Sequence, residues 1–151
     1  MSRVRAALCL VSLMFLLSCA GLGVRNEAEE EFTKGLSLFD KGRYAEAVAH
    51  FERATDLEPN YGVAYLYAGR CYVTLRKWES ALPALRTAFR LAPEETKRAV
   101  LDILTDALYS ASLAEFHKGN LKSSGKYLDE AVKLDPSRSN YPSLFRDSTE
   151  R

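Results

Sequence analysis

Cysteine and histidine are scarce in this 151-residue chain: Cys9, Cys19 and Cys71 are the only thiols, and His50 and His117 the only imidazoles. Three scattered cysteines cannot build a disulfide framework or a tetrahedral zinc site. Neither histidine stands in a motif with a nucleophile or with paired carboxylates, and no glycine-rich phosphate loop is present. The reading is therefore of a chain that is not an enzyme and holds no metal and no cofactor. An excess of either charge is also missing. Arg3 and Arg5 precede the apolar start, and without them 19 bases face 20 acids. A clustered basic face is the usual footprint of nucleic-acid binding, so no nucleic-acid partner is expected. A long apolar run is lacking too: Ala6–Leu17 is about a dozen mostly apolar residues, short of the roughly 20 that span a bilayer. The remaining composition, 47% hydrophobic and 27% charged, is ordinary for one globular domain.

What the chain does have is a period. Shifting Gly42–Pro59 by 34 residues places Tyr44, Ala47, Val48, Phe51, Ala54, Leu57 and Pro59 on Trp78, Ala81, Leu82, Leu85, Ala88, Leu91 and Pro93. Aligning Pro136 with Pro59, a shift of 77, brings Gly119 onto Gly42, Leu128 onto Phe51, Ala131 onto Ala54 and Leu134 onto Leu57. Since 77 exceeds two periods by nine, an insertion is expected within 94–104. Repeats of this length are helix pairs that cannot bury their apolar faces alone and stack on neighbours.

Helix boundaries follow from the punctuation. Asn26, with Glu29 three residues on, predicts a capped helix to about Lys41, ended by Gly42. Tyr44–Leu57 is the second, stopped by Pro59; Asn60 is expected to cap a third, to about Leu75. Trp78–Leu91 is the fourth, with Pro83 early enough for a mild bend and no break. Glu94–Lys118 reads as one long helix, roughly two and a half turns longer than its counterparts. Small residues at Gly35, Gly69, Ala47 and Ala81 let paired backbones approach. His50 falls on a solvent-facing position, and Cys71 reads as buried filler.

Tyr65, Ala68-Gly69, Tyr72, Trp78, Ala81, Leu85, Ala88 and Pro93 stand at offsets that resemble the tetratricopeptide repeat. The first unit is similar through Gly35, Leu38, Tyr44, Ala47, Phe51, Ala54 and Pro59, and departs at Glu31 and Lys34. Those positions pack on a preceding unit, which a first unit lacks. The third unit is degenerate, with Ser112, Glu115 and Ser124 replacing Gly, Tyr and Ala. The resemblance implies an all-α fold: a short right-handed α-solenoid of three antiparallel helix pairs, the first helix of the third pair extended. Its units are about 28–61, 62–95 and 105–138, with the insertion at 96–104, in a domain of 26–136. The tail, 139–151, is expected to cap the last unit through Tyr141, Leu144 and Phe145.

The resemblance also implies a concave groove that binds a protein or peptide segment. Carrying over the family's groove positions gives Glu29, Phe32, Leu36 and Phe39; Val63, Leu66, Arg70 and Val73; and Tyr109, Leu113, Phe116 and His117. With Arg70 its only firm cation, this set suits an apolar or amphipathic segment more than a basic clamp on a terminal carboxylate. The other reading is that these side chains pack among themselves or under the tail. Val100, Leu101, Ile103 and Leu104 of the insertion form a second candidate surface. It would either make a homo-oligomer or fold back onto the fourth helix.

The N-terminal segment adds a location. After the basic start and apolar run, Leu16-Leu17-Ser18-Cys19 resembles the lipobox of bacterial lipoprotein signal peptides, with Ser18-Cys19-Ala20 also fitting a plain cleavage site. The lipoprotein resemblance makes 1–18 the leader, Cys19 the lipidation site and 19–25 a tether, its Ala20–Arg25 reaching only about 20 Å. Ala20 after the cysteine resembles the outer-membrane class, on the periplasmic face if the source is Gram-negative. The combined reading is a lipid-anchored adaptor or scaffold at the bacterial cell envelope. The alternatives are an assembly factor resembling the pilotins, serving a secretion or pilus system, and a structural, self-associating lipoprotein.

Overall fold

The computed structural model describes residues 27–138. The chain there is a succession of helices: α1 (27–40), α2 (Tyr44–Leu57), α3 (Gly62–Thr74), α4 (Trp78–Leu91), α5 (Glu94–His117) and α6 (Leu121–Leu134), closed by a short 3-10 turn, Pro136–Arg138. No strand occurs among the described residues. Each helix packs on the next, giving the stacked all-α solenoid that the period predicts. Asn26, Cys19, the leader and the tail 139–151 lie outside the described residues.

Three hairpin turns are copies of one another. The amide of Gly42 donates to the Phe39 carbonyl and that of Arg43 to Leu38; Arg76 and Lys77 donate to Val73 and Tyr72; Gly119 and Asn120 donate to Phe116 and Glu115. This pair of bonds is the Schellman arrangement, which needs a left-handed residue after the helix. Gly42 and Gly119 supply it at φ 72° and 80°, whereas Arg76 adopts φ 56° without a glycine's freedom. The turn before α3 works differently from the expectation. The residue preceding α3 is Tyr61 and no side chain caps the helix, because the backbone closes the turn itself: Tyr61 donates to Glu58 and Gly62 to Asn60. Pro83 sits inside an unbroken α4.

The core has two parts. In the first, Ala47, Val48, Phe51, Ala68 and Cys71 are buried beneath the rings of Phe32, Phe39, Tyr44 and Tyr67. In the second, Leu82, Leu85, Leu104, Ala107, Leu108 and Ala111 pack with Ala131. The small residues at the helix crossings are sterically required. A Cβ on Gly35 would stand 2.6 Å from the Phe51 ring, and one on Gly69 2.6 Å from Leu85. At the third crossing Ser112 and Ser124 take these places, both buried. The Ser112 hydroxyl lies 2.9 Å from the Ser124 carbonyl and 3.0 Å from its hydroxyl.

Polar ties hold the last hairpin. Arg86 of α4 grips Glu130 of α6 with two bonds of 2.7 Å. Arg98 of α5 reaches Asp135 at 2.9 Å. The Asp135 carboxylate also accepts from the amide and hydroxyl of Ser137, which fixes the direction in which the chain leaves α6.

Candidate interaction groove

The ends of α1 and α3 and the middle of α5 enclose a cavity of about 370 Å³. Phe39 and Tyr44 form one side, Arg70, Val73 and Thr74 the next, and Ile103, Asp106, Ala107 and Ser110 the third. The α5 contribution is spaced i, i+3, i+4, i+7, which is one face of a helix. Arg70 is held in place by π-faces: its guanidinium carbon lies 4.9 Å from the Phe39 ring centre and 5.2 Å from that of Tyr67. A cation set on two rings keeps its N–H fork available for a carboxylate or carbonyl. Asp106 supplies the opposite charge from α5. Thr74 and Ser110 spend their hydroxyl protons on the Arg70 and Asp106 carbonyls of their own helices, at 3.0 and 2.8 Å. The cavity lining thus combines apolar side chains with one base and one acid.

The expected groove residues are not all brought together. Phe39, Arg70 and Val73 line the cavity. Phe32, Leu36 and Leu66 are partly buried against the two cores; the Phe32 ring lies 5.6 Å from Phe51, 5.2 Å from Tyr61 and 5.6 Å from Tyr67. Val63 stays 40% exposed at the start of α3. Tyr109, Leu113 and Phe116 are half-buried on α5 and are not part of the cavity wall. His117 ends α5 exposed, 6.0 Å from the Phe116 ring.

The third-unit residues miss the cavity because of where the nine extra residues take effect. α5 begins directly after Pro93, so as far as its middle it keeps the plain 34-residue shift, which carries Val73 onto Ala107. The lengthening is felt only further along, where α5 pairs with α6. Ile103, Asp106 and Ser110 flank Ala107 on the same face; the 34-residue shift brings Gly69, Tyr72 and Arg76 onto them, none of them a groove position, so the period carried no signal for these three. Tyr44 and Thr74, at the ends of their helices, carried no such signal.

The second candidate surface is corrected by burial. Val100 and Leu104 are 5% and 1% exposed. Leu104 belongs to the aliphatic core, Ile103 packs against that core and lines the cavity, and Leu101 is half-buried. α5 is one unbroken helix and, as in the alternative reading, its first turns lie against α4, where Lys97 covers the Phe89 ring at 5.9 Å.

His50 is also less solvated than expected, since its Nδ1 lies 2.7 Å from the Glu31 carboxylate. Lys34, the first influence, and His50 hold that carboxyl below its ordinary value. Glu31 and Lys34, where the repeat pattern departs, therefore form a polar cluster on α1. Burial pushes the Cys71 thiol up to about 11, so at neutral pH it is protonated and a poor nucleophile. Among the described residues no three His, Cys, Asp or Glu side chains stand close enough to hold a metal ion, and no helix is long and apolar enough to cross a membrane.

Comparison with known proteins agrees with this architecture. Residues 38–101 and 105–138 each match a model of the tetratricopeptide repeat. Over 55 residues the chain is 38% identical to Hsp70-Hsp90 organizing protein 3 of Arabidopsis thaliana, a stretch covering 36% of this chain and 10% of that relative's length. Among solved structures it is similar to the first TPR domain of Spaghetti (RPAP3) bound to the HSP90 peptide SRMEEVD. That likeness is 21% in sequence, with a TM-score of 0.50, and covers 83% of this chain and 92% of the other. It is similar also to MamA, at 22% identity and a TM-score of 0.51, covering 78% of this chain and 63% of the other. At these identities the structural likeness is one of fold.

Proposed function

Because the chain belongs to the tetratricopeptide repeat family, we propose that it is a non-catalytic adaptor. In this reading it is anchored by lipid on Cys19 at a bacterial cell envelope and holds a segment of a protein partner in the cavity between α1, α3 and α5. The observation that carries this is the cavity itself: an open space of about 370 Å³ lined by Phe39, Val73 and Ile103, with Arg70 held against the Phe39 ring. Spaghetti's domain is bound to a peptide ending Glu-Glu-Val-Asp, rich in acid. Here one arginine faces one aspartate, which favours an amphipathic segment with an apolar residue at its centre.

The anchor and the cavity are compatible in space. Cys19 precedes the start of α1 by eight residues, at most about 26 Å of chain. The cavity lies at the other end of α1, whose 14 residues add about 21 Å.

The test plugs the cavity without gutting a core. Thr74→Trp and Ser110→Trp, made in the full chain and solubilised from the envelope, should keep the parent's helical signal and melting temperature and lose the captured partner. Retention of the same partners by both folded variants would refute the site. Cys19→Ala should leave the chain unacylated and release it from the membrane fraction; continued acylation would refute the anchor.

A further inference from the structure

The polar groups around the cavity, taken as donors and acceptors, are unequally satisfied. Thr74 and Ser110 donate their hydroxyl protons to carbonyls of their own helices, at 3.0 and 2.8 Å, and keep only lone pairs for a ligand. Asp106 already has a partner. Arg70 is different: its guanidinium lies over the Phe39 and Tyr67 rings, 4.9 and 5.2 Å from their centres, and enters no hydrogen bond or ion pair among the described residues. Tyr44, whose ring stands 5.2 Å from that of Phe39, brings a hydroxyl in the same condition. Among the described residues every side-chain nitrogen or oxygen shut off from solvent has a bond, so the Arg70 fork and the Tyr44 hydroxyl are both reached from outside.

What the cavity lacks is therefore an acceptor, and a negative one. A guanidinium set on two rings is oriented before a ligand arrives, and its planar fork matches a carboxylate through two parallel bonds. Phe39, Val73, Ile103 and Ala107 line the same space with apolar surface. The complement is a carboxylate beside an apolar side chain. A protein partner carries carboxylates on acidic side chains and at its chain end. An acidic side chain reaches Arg70 on its own stem while the backbone stays outside. A chain end would bring backbone N–H and C=O groups in among Val73, Ile103 and Ala107, where only the Tyr44, Thr74 and Ser110 oxygens remain to bond them. We propose that Arg70 receives the side-chain carboxylate of an internal Glu or Asp of the partner segment, with a neighbouring apolar side chain of that segment against Phe39, Val73 and Ile103. This rests on the cavity being the binding site. It makes the site selective by charge as well as by shape, since a base at that place would set two cations together and an amide would lose the charge-assisted bonds.

The experiment uses the full chain in detergent and three peptides: acetyl-Gly-Ser-Phe-Glu-Gly-Ser-amide, the same peptide with Gln in place of Glu, and acetyl-Gly-Ser-Phe with a free carboxylate. Binding is followed by ligand-observed NMR. The Glu peptide should bind about tenfold or more tightly than the Gln peptide, and raising the salt from about 50 to about 500 mM should remove most of that difference. Arg70→Gln and Thr74→Trp, each with the parent's helical signal, should also remove it. Equal binding of the Glu and Gln peptides, binding of neither, or a difference that survives Arg70→Gln would overturn the proposal. Tightest binding by the free-carboxylate peptide would overturn it in favour of a chain end. Should Arg70→Gln not fold, the salt arm on the parent decides, because a difference unmoved by salt is not one of charge. If Thr74→Trp abolishes partner capture while the Glu and Gln peptides bind alike, the adaptor reading stands and the carboxylate assignment fails. A preference for the Glu peptide that depends on Arg70, with partner capture unaffected by the plug, gives the reverse.

Discussion

The two halves of the core solve one packing problem with different side chains. Around Phe51 the spaces between helices are filled by rings, with Phe32 and Tyr67 centred 5.6 and 5.5 Å from it. Around Leu108 the buried centre is leucine and alanine, with the rings of Trp78, Phe89 and Tyr127 packed only at its margin. Tilted and edge-on rings have preferred orientations worth about 0.5–1.5 kcal/mol per pair beyond their burial, and aliphatic contacts do not. The aromatic half should therefore be the more sharply ordered, and the aliphatic half the more tolerant of sliding. The lengthened α5 belongs to the tolerant half. The cavity lies on the seam, taking Phe39 and Tyr44 from one side and Val73, Ile103 and Ala107 from the other.

The strongest way to break this comparison is to remove one anchor from each half. Phe51 and Leu108 are both fully buried. Phe51→Ala should cost about 3–5 kcal/mol and Leu108→Ala about 2–5 kcal/mol, read from denaturant unfolding. Repeat proteins couple mainly through nearest neighbours, so the losses should also differ in place. Hydrogen exchange should show Phe51→Ala exposing amides of α1 and α2 while α5 and α6 stay protected, and Leu108→Ala the converse. Uniform loss of protection in both variants would mean that the halves differ in composition but unfold as one unit.

A smaller effect sharpens the comparison at the crossings. The first two crossings use glycine against a large side chain; the third uses two hydrogen-bonded serines. Removing one partner of a buried bond costs more than removing both, since a lone hydroxyl is left without water. Ser112→Ala should therefore cost about 1 kcal/mol. Ser112→Ala/Ser124→Ala should recover much of that loss, measured as a double-mutant cycle. Additive losses would show that the serines matter as small residues and that their bond contributes nothing.

Most of the fold was legible because glycine or proline marks at least one end of every described helix and a 34-residue period ties the marks together. The Asn60 cap failed because a turn can close on backbone bonds alone, as Glu58–Gly62 does. The partner of His50 was not legible because Glu31 is on another helix, and the repeat pattern gives no reason to pair them. The groove was legible only in its first two units. Between Pro93 and Gly119 nothing interrupts the helical pattern, so nine extra residues could be counted from either end. Counting back from Gly119 selected Tyr109, Leu113 and Phe116, while counting forward from Pro93 selects Ala107, which does line the cavity. Packing decides between these registers, and a single sequence records packing only where it leaves a break in pattern.

The smallest expected effect comes from the one hairpin turn that lacks its glycine. Gly42 and Gly119 end α1 and α5 in the left-handed region, and Arg76 does the same between α3 and α4 at φ 56°. A left-handed non-glycine residue costs roughly 1–2 kcal/mol through its Cβ, whereas glycine loses about 0.5–1 kcal/mol more entropy on folding. The two nearly cancel, so Arg76→Gly should stabilise the chain by no more than about 1 kcal/mol. Arg76 is exposed and its turn bonds are all from backbone, so no packing is lost with the side chain. A raised midpoint in urea with an unchanged slope would show that the turn carries strain in the middle hairpin alone. A lowered midpoint would show that the guanidinium or its aliphatic stem stabilises the turn by more than the left-handed backbone costs.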